Sequence, residues 1–403
     1  MPYDVDRIRS WFPSLESGWA HFDGPGGTQT PRSVGDAVAA TLTGPLSNRG
    51  TTSPSEQNAE DAVDGFRAAM ADLLGADPGG IVEGRSATQL VYDFSRHLSR
   101  DWEPGDEIVV TRLDHDSNVR PWVQAARLSG ASVRWIDLDP ETGELIRPEA
   151  AITDRTRLVA VTAASNLIGT RPEVRRIADA AHDAGALVWV DGVHFTAHVL
   201  PNIAALGADF FVCSPYKFLG PHCGVLAAAP ELLESIRPDK LLPATDVVPE
   251  RFEFGTLPYE LLAGTTAAVD ALAALDGTAS GTRRERLVAS YRALHEHEAG
   301  LLERLEEGLA TLPGATPWSR AAERTPTVLA TFAAAPAAEL TEFLAELQVL
   351  APSGNFYALE ASRRLGLGDD GGLRMGLAPY STASDVDRLL AGLEASLAAA
   401  AAS

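Results

Sequence analysis

The stretch GADFFVCSPYKFLGPHCG (residues 207–224) joins an apolar run to a lysine that has almost no polar neighbours. The run DFFVC (209–213) is short and apolar, it contains two aromatic residues and a valine, and turn residues follow it, as is typical of a buried strand. Lysines that only face solvent more often lie beside other charges on a helix surface. Lys217 is therefore a candidate reactive amine that follows the end of a buried strand.

The segments before this stretch alternate between strand-like and helix-like patterns. The strand-like runs are DEIVVT (106–111), ASVRWIDLD (131–139), RLVAVT (157–162) and ALVWVDG (186–192). In the helix-like segment NVRPWVQAARLSG, Asn118 is predicted to cap the helix and Pro121 to lie in its first turn. Strands separated by helices form βαβ units, so we predict an α/β protein with a mostly parallel central sheet and helices on both faces.

The pattern changes after about residue 262. A long charged helix is predicted over 282–311, and strand-like and helix-like segments follow it in turn. These segments predict a smaller α+β unit at the C-terminus. We therefore expect residues 1–20 to pack on the small unit, a large domain over 21–262 and a small domain over 263–403.

Composition limits what the chain binds. The 403 residues carry 33 Lys and Arg against 55 Asp and Glu, a formal charge of −22 that repels nucleic acids and anionic membrane surfaces. No apolar run is long enough to span a bilayer, and the charged N-terminus lacks the core of a secretory signal, so a cytoplasmic location is expected. Cys213 and Cys223 are ten residues apart and predict neither a disulfide framework nor a metal site.

Three polar residues follow the ends of consecutive predicted strands. Asn166 closes LVAVTAASN, Asp191 closes ALVWVD and Lys217 follows DFFVCSPY, at separations of 25 and 26 residues. These separations are close to one βαβ repeat of about 30 residues. Because ligands of open parallel sheets bind beyond the carboxyl ends of the strands, we expect the three side chains to converge on one crevice.

An amine, a carboxylate and an amide in one crevice suit pyridoxal 5'-phosphate (PLP). A lysine whose pKa is lowered by burial forms a Schiff base with the PLP aldehyde and acts as a base. A carboxylate keeps the pyridine nitrogen protonated, so that the ring takes up electrons, and an amide hydrogen-bonds the phenolate oxygen. Spacing alone leaves open the alternative that Lys217 and Asp191 form a structural ion pair and that Asn166 only satisfies a strand end.

Several motifs resemble those of class V (fold-type I) aminotransferases, in the order and at the spacing of that family. They are DHDSNVRPW, ASNLIGT, VWVDGVH and CSPYKFLGP, extended over nearly the whole chain by FDGPGG, RFEFGTLP and LRMGLAPYST. The resemblance is nearest to the cysteine desulfurase-like subgroup, whose members often lack the desulfurase cysteine. It implies the PLP-dependent transferase fold of type I, PLP as the cofactor and an amino acid as the substrate.

The resemblance assigns roles to residues around the cofactor ring. It makes Lys217 the Schiff-base lysine, Asp191 the partner of the pyridine nitrogen, and His115 the residue that stacks on the ring and assists proton transfer. It places Asn166 at the phenolate oxygen and His194 near it, where many relatives carry glutamine. Taken alone, His115 would be interpreted as a packed core histidine.

The resemblance also implies a phosphate-binding region. Ser214 matches the phosphate-binding serine before the lysine, and EGRSATQL (83–90) matches the family's first phosphate loop. In this loop Ser86 keeps a hydroxyl, Arg85 replaces a threonine and Thr88 is a further candidate. Backbone N–H groups at a helix N-terminus favour a phosphate dianion. A capped helix start without a ligand is the alternative.

Further residues are implied around the substrate. Thr256, in FGTLP, matches a residue that reaches the phosphate of the partner subunit, which predicts a homodimer with a shared active site. Arg374, in GLRMGL, matches the arginine that binds the substrate α-carboxylate, a task suited to a planar bidentate donor, with a surface ion pair as its alternative. Asn48 and Arg49, in SNRGTT, match a loop at the substrate mouth.

The chain departs from the cysteine desulfurases at the position of their sulfur-accepting cysteine. That cysteine falls in LAPSGNFYALE (350–360), where this chain has Tyr357, a candidate substrate-binding residue with core packing as its alternative. We expect an enzyme that forms an external aldimine and a Cα carbanion and then eliminates a β-substituent, as a C–S lyase without a persulfide. An aminotransferase or epimerase of the same fold is the alternative, and a non-catalytic PLP-binding regulatory protein is the alternative of another class.

Overall fold

The computed structural model describes residues 3–402, with side chains through Ala400. Its strands are β1 (Ala20–His21), β2 (Ile81–Gly84), β3 (Glu107–Thr111), β4 (Ser132–Ile136), β5 (Thr156–Thr162), β6 (Leu187–Asp191), β7 (Phe210–Cys213), β8 (Gly224–Ala228), β9 (Ala315–Pro317), β10 (Thr327–Phe332), β11 (Val349–Leu350), β12 (Ser353–Gly354) and β13 (Gly372–Gly376). Its α-helices are α1 (Val5–Arg9), α2 (Arg32–Thr43), α3 (Pro54–Leu74), α4 (Ala87–Leu98), α5 (Arg120–Ser129), α6 (Val174–Asp183), α7 (Ile203–Leu206), α8 (Pro230–Ser235), α9 (Tyr259–Ala273), α10 (Arg283–Thr311), α11 (Ala337–Glu346), α12 (Leu359–Arg364) and α13 (Ala383–Ala402). In this part of the chain no helix has the length and apolar character needed to cross a membrane.

The central sheet has seven strands in the order β2-β8-β7-β6-β5-β3-β4. Strands β3 to β7 pair in parallel, whereas β8 runs antiparallel to both of its neighbours, β2 and β7. The α/β class and the mostly parallel sheet are therefore as predicted. Because β5, β6 and β7 are adjacent and parallel, the residues that follow them meet at one edge of the sheet.

Both faces of the central sheet are buried under helices. Successive residues of a strand point to opposite faces. In β6, Val188 and Val190 therefore lie in the core shared with α3, α6 and α9, whereas Trp189 lies in the core shared with α4 and α5. This two-sided burial explains why the strands are continuous apolar runs in the sequence rather than alternating patterns.

Trp189 is expected to contribute strongly to stability. Its ring packs against those of Trp122, Phe94 and Phe210, at centroid distances of 5.1, 5.6 and 5.2 Å. Trp189→Ala leaves a cavity under α4 and α5, so the free energy of unfolding should fall by about 3–5 kcal/mol. Urea unfolding followed by circular dichroism measures the loss, with the half-buried Trp318→Ala as control. A loss below about 1 kcal/mol would contradict this packing.

A second, antiparallel sheet lies in the C-terminal part of the chain, in the order β12-β13-β10-β9. Helices α11 and α13 and the second half of α10 cover it, through a core that includes Leu305, Leu340 and Leu389. This part has the α+β character that the sequence predicts.

The predicted division at residue 262 falls within α9, which packs in the core of the central sheet, and it stays a prediction. Leu262 lies within α9, and both Leu262 and Leu272 pack in the core of the central sheet. Helix α10 then runs between the units, with Leu287 in the core of the central sheet and Leu305 in that of the small sheet. The change in sequence pattern near residue 262 thus marks the end of the alternating strands and helices. The core of the central sheet extends beyond this residue, into α9 and the first half of α10.

The N-terminal segment, which was predicted to pack on the small unit, contacts both units. Ile8 and Phe12 pack in the core of the central sheet. Arg9 Nη1 donates to Tyr380 O at 2.7 Å and pairs with Asp385 at 3.0 Å, and β1 pairs in parallel with β11. Residues 1 and 2 of the predicted segment lie outside the described residues.

Asn118 does not cap α5, contrary to the prediction. It lies in a turn before the helix, and its Nδ2 donates to Asp114 Oδ1 at 2.7 Å. Pro121 does lie in the first turn, as predicted. The amide of Asn118 therefore fixes the turn after β3, which carries His115.

Candidate active site

A cavity of about 610 Å³ opens at the carboxyl edge of the central sheet. Thr162 and Asp191, the last residues of β5 and β6, line it, as does Lys217 in the turn after β7. Asn166, in the loop after β5, lines the same cavity. The structure therefore brings together the three side chains that the spacing predicts to converge.

Lys217 is held in a short turn, Pro215–Lys217. Its Nζ donates to the backbone oxygen of Pro25, at 2.5 Å, rather than to a carboxylate. Burial lowers the pKa of Lys217 to about 7, with a further contribution from the charge of Arg374, while Asp191 opposes the shift. A neutral amine is thus available near physiological pH, as a nucleophile or base requires.

Asp191 is a buried carboxylate in a fixed position. Its Oδ1 accepts the Val193 backbone N–H at 2.9 Å. The next residue is glycine because a Cβ at Gly192 would overlap the ring of Phe211. Burial raises the pKa of Asp191 to about 6, while the Val193 N–H and Lys217 oppose the shift. The group is mostly ionised at neutral pH and suits a protonated ring nitrogen.

His115 lies in the turn after β3 and lines the cavity. Its Nδ1 accepts the Ser117 backbone N–H at 3.1 Å, so a neutral His115 carries its proton on Nε2. Burial lowers the pKa of His115 to about 4, and the charge of Lys217 adds to this shift. His115 therefore offers a neutral ring face for stacking and an Nε2–H for donation.

A buried carboxyl group precedes His115, and the sequence interpretation missed it. Asp114 accepts from Asn118 Nδ2 at 2.7 Å and hydrogen-bonds Thr111 Oγ1. Burial raises the pKa of Asp114 to about 8, and the charge of Asp191 acts in the same direction. Asp114 is thus mostly neutral at pH 7 and anchors the turn. The sequence did contain an indication of this role, because Asp114 stands between the predicted strand 106–111 and the candidate catalytic residue His115.

Arg374 enters the cavity from β13 of the small sheet. Its Nη1 donates to Asn166 O at 2.9 Å, and the Phe356 ring covers the guanidinium at 3.5 Å. Burial lowers the pKa of Arg374 to about 9, with Asp23 opposing the shift. Arg374 Nε and Asn166 Oδ1 are buried, and neither has a hydrogen-bond partner among the described residues. Buried polar groups of this kind call for a polar ligand.

His194 connects the two units and lines the cavity. Its Nε2 lies 3.0 Å from the hydroxyls of both Thr325 and Thr327, and its ring packs against His198 at 5.0 Å. Burial lowers the pKa of His194 well below its ordinary value. Its Nδ1 is buried and has no hydrogen-bond partner within the described part of the chain, so it is free for a ligand.

The N-terminus of α4 and three hydroxyl residues, Ser86, Thr88 and Ser214, line the cavity. Ser86 Oγ caps this twelve-residue helix by accepting the Gln89 N–H at 3.1 Å. Free backbone N–H groups at such a helix start suit a phosphate dianion. Arg85 is exposed and does not line the cavity of its own chain, and its phosphate contact stays a prediction.

Three other predicted site residues, Asn48, Arg49 and Thr256, also lie outside the cavity of this chain. Arg49 is held by Glu60 at 2.8 Å and Glu250 at 3.1 Å, and Asn48 is exposed. These two residues do not line the cavity of their own chain, and their role at the substrate mouth stays a prediction. Thr256 is exposed, and its predicted role concerns a partner subunit and stays a prediction.

Tyr357 lines the mouth of the cavity with 73% of its surface exposed, which excludes core packing. Its ring lies 5.4 Å from that of His115. The neighbouring Phe356 also lines the cavity and covers Arg374. Phe356 was not predicted from the sequence, where its position next to Tyr357 was the only indication that it lies at the site.

The residues that line the cavity fit PLP. His194 Nδ1 and Asn166 Oδ1 need polar partners, the Lys217 amine has a lowered pKa, and the start of α4 suits a phosphate. The aldehyde of PLP is a partner for the Lys217 amine, its phosphate for the start of α4 and its phenolate oxygen for an N–H at His194 Nδ1. Asn166 Oδ1 is an acceptor and Asn166 Nδ2 already donates to Phe356 O at 2.9 Å, so the contact of Asn166 with the phenolate oxygen stays a prediction. The cavity volume also lies in the range that holds a ligand of drug size.

Comparison with known proteins identifies the class of the chain. Residues 20–389 match the family model described as Aminotransferase class-V. The match covers most of the sequence and includes both units of the fold. The chain therefore belongs to the class V aminotransferase family.

Individual relatives narrow this class. "Uncharacterized protein MT3887" of Mycobacterium tuberculosis is 35% identical over 398 residues, covering 98% of this chain and 99% of its own. A probable cysteine desulfurase of Pseudomonas aeruginosa is 31% identical, covering 96% of this chain and 97% of its own. The solved structure of the cysteine desulfurase CsdA from Escherichia coli matches with a TM-score of 0.86 at 26% identity, over 98% of this chain and 99% of its own. The chain is a PLP-dependent enzyme related to the cysteine desulfurases, which confirms the predicted fold, family and cofactor.

Covalent uptake of PLP by the apoprotein is expected to follow the protonation of Lys217. Only a neutral amine attacks an aldehyde, and the pKa of about 7 lies below that of a free lysine. The rate should therefore rise with pH and level off above about pH 8. Stopped-flow absorbance after mixing with PLP measures it. A rate that still rises about tenfold per pH unit near pH ~9 would contradict the lowered pKa.

Proposed function

We propose that this enzyme is a C–S lyase that removes a sulfur substituent from Cβ of an amino acid and releases a thiol, pyruvate and ammonia. The observation that carries the proposal is the Lys217 amine, with its lowered pKa, in one cavity with Asp191, His115 and Arg374. Bound PLP withdraws electrons from Cα of an attached amino acid and so makes the Cα hydrogen acidic. The likeness to proteins named cysteine desulfurases supports cleavage of a C–S bond.

Arg374 is suited to bind the α-carboxylate of the substrate. Its guanidinium is buried, and burial lowers its pKa, so an incoming carboxylate compensates a charge that is otherwise costly to hold. The absence of a side chain at Gly26 leaves room beside Nη2, since a Cβ there would lie 3.4 Å away. A planar guanidinium also orients the carboxylate through two parallel hydrogen bonds.

Three other side chains divide the proton chemistry. Neutral Lys217 Nζ accepts the proton from Cα, and Pro25 O, 2.5 Å away, orients the amine. The Nε2–H of neutral His115 hydrogen-bonds the departing sulfur, and the ammonium formed on Lys217 gives that sulfur the proton taken from Cα. The negative charge of Asp191 holds the proton on the ring nitrogen, and its burial strengthens this interaction.

The two cysteines support release of sulfur as a free thiol. Cys213 lies in β7, Cys223 Sγ lies 3.6 Å from Thr265 Oγ1, and both are buried and outside the cavity lining. Burial raises the pKa of both thiols, that of Cys223 to about 12, so they stay protonated and poorly nucleophilic. Tyr357, at the mouth, has no sulfur. The sulfur of the substrate therefore leaves with a proton.

Product analysis tests this proposal. The holoenzyme is incubated with L-cysteine, S-substituted cysteines and β-chloro-L-alanine, and pyruvate, ammonia and thiol are measured. Equal amounts of pyruvate, ammonia and the leaving group support the lyase. A keto acid that retains the whole side chain indicates an aminotransferase, and loss of optical activity alone indicates an epimerase. No reaction of any amino acid with the PLP-bound protein would contradict the proposal and favour a non-catalytic role.

The proposal includes a homodimer in which Thr256 contributes to the partner's site. Leu241, Leu242, Val247 and Phe254 are exposed apolar residues in the segment that leads to Thr256, as expected of an interface. Mixed dimers of Lys217→Ala and Thr256→Val chains would contain one site with both native residues. Their activity should be half that of the wild-type dimer if the site is shared, and half that of the Thr256→Val homodimer if it is not.

A further inference from the structure

Phe356 and Tyr357 lie in the loop between β12 and α12, at the mouth of the cavity. Both have left-handed backbone conformations, with φ of 51° and 62°. Left-handed residues other than glycine are uncommon, and such strain persists where surrounding contacts determine it. Two in succession indicate that the positions of both rings are built into the site.

Hydrogen bonds hold this loop on the large unit. Tyr357 O accepts the Asp116 N–H at 2.7 Å, and Phe356 O accepts from Asn166 Nδ2 at 2.9 Å. Within the loop, the Tyr357 N–H donates to Asn355 Oδ1 at 3.0 Å. The two rings are therefore fixed relative to the reacting centre.

Each ring contacts a residue of the proposed chemistry. The Phe356 ring covers the Arg374 guanidinium at 3.5 Å, and the Tyr357 ring lies 5.4 Å from His115, inclined by 33°. Arg374 and His115 are the residues proposed to meet the α-carboxylate and the departing sulfur. A substituent on that sulfur therefore meets aromatic faces first.

Among the residues that the structure describes, none at the mouth offers an uncompensated charge to a charged substituent. Arg120 lines it, but its Nη2 already lies 2.8 Å from Asp116 Oδ1 and 3.5 Å from Glu360 Oε1. The loop itself, residues 352–358, has no charged side chain. A charged substituent would lose water there without a free partner, whereas an apolar one would gain contact with both rings.

We propose that Phe356 and Tyr357 select amino acids with a bulky apolar or aromatic group on sulfur, in preference to cysteine itself. This inference rests on the proposed C–S lyase function. The Cα–H and Cβ–S bonds of the S-substituted cysteine break, the sulfur leaves as a thiol with one proton, and the remaining 2-aminoacrylate takes up water to give pyruvate and ammonia. No oxidant or reductant is needed.

The test compares the binding of three ligands to the holoenzyme: S-benzyl-, S-methyl- and S-carboxymethyl-L-cysteine. The visible absorbance of bound PLP reports binding whether or not elimination follows. The wild-type enzyme should bind the benzyl compound at least about tenfold more tightly than the methyl compound, and the carboxymethyl compound no more tightly than the methyl one. Because the ligands carry the same α-carboxylate, a change in carboxylate binding affects both dissociation constants equally and leaves their ratio unchanged.

Phe356→Ala and Tyr357→Ala should each lower the benzyl-to-methyl ratio to within about threefold of one, whereas Tyr357→Phe keeps its ring and should keep the ratio. Phe356→Leu serves if the alanine variant does not fold, and Leu347→Ala, an exposed apolar residue outside the cavity, is the matched control. A wild-type ratio near one, or a ratio unchanged in both alanine variants, would overturn the inference. Selective binding without any elimination product would overturn the proposed function and leave this selection intact.

Discussion

Lys217→Ala is expected to lower kcat for every amino-acid substrate by about 10³-fold or more, because it removes both the nucleophile for the PLP aldehyde and the base for Cα. The amine lies in the cavity with its pKa lowered to about 7. PLP should still bind through the start of α4 and the polar groups of Asn166 and His194. Equilibrium dialysis should therefore still detect bound PLP in this variant. Borohydride reduction, however, should not attach the PLP covalently to the protein.

The chain contains only two lysines, Lys217 and Lys240, which provides a matched control. Lys240 Nζ donates to Ala244 O at 2.7 Å and pairs with Asp246 at 3.1 Å, outside the cavity lining. Lys240→Ala should keep full activity and the covalent cofactor. Undiminished turnover in the Lys217 variant, or PLP trapped on Lys240, would contradict the assignment.

Asp191→Asn is expected to lower kcat by about 10²–10³-fold, because an amide cannot hold the proton on the ring nitrogen by its charge. The same change should leave the apoprotein equally or more stable at neutral pH. Burial raises the folded-state pKa of Asp191 to about 6, above that of an unfolded aspartate. Its ionisation therefore costs stability as pH rises through that range, and the substitution removes this cost.

Steady-state kinetics and thermal unfolding of the apoprotein separate the two effects of Asp191→Asn. Asp137→Asn, which removes a half-exposed surface carboxylate paired with Arg112 and Arg364, is the control and should keep kcat unchanged. A lower Tm together with lost activity in Asp191→Asn would indicate that Asp191 has a structural role. It would contradict the role of Asp191 as the charge that holds the proton on the ring nitrogen.

Short stretches of sequence were enough to predict the features of the fold that depend on neighbouring residues. The five parallel strands β3 to β7 were predicted from short apolar runs, whereas β2 and β8 were not. The convergence of Asn166, Asp191 and Lys217 followed because parallel strands bring their carboxyl ends to one edge of a sheet. The roles around PLP came from the motif resemblance, since spacing alone also allowed a structural ion pair.

Features that depend on distant contacts could not be predicted. Arg49 pairs with Glu250, a residue 201 positions away in the chain. Phe356 meets Arg374 because the loop after β12 folds back onto the large unit. The end of the large core also depends on packing, since α9 continues it beyond residue 262.

Hydrogen exchange at Cα tests the central claim most directly, namely that Lys217 moves the Cα proton of an amino acid in a PLP site shared with Asp191 and His115. The holoenzyme is incubated in deuterated water with L-alanine, which has no leaving group, and with S-methyl-L-cysteine, and proton NMR follows the Cα signal. We expect the signal to decay with the wild-type holoenzyme and with Lys240→Ala, and to persist with the apoprotein and with Lys217→Ala. A PLP-bound wild-type protein that exchanges no Cα hydrogen, or exchange that survives in Lys217→Ala, would contradict the account.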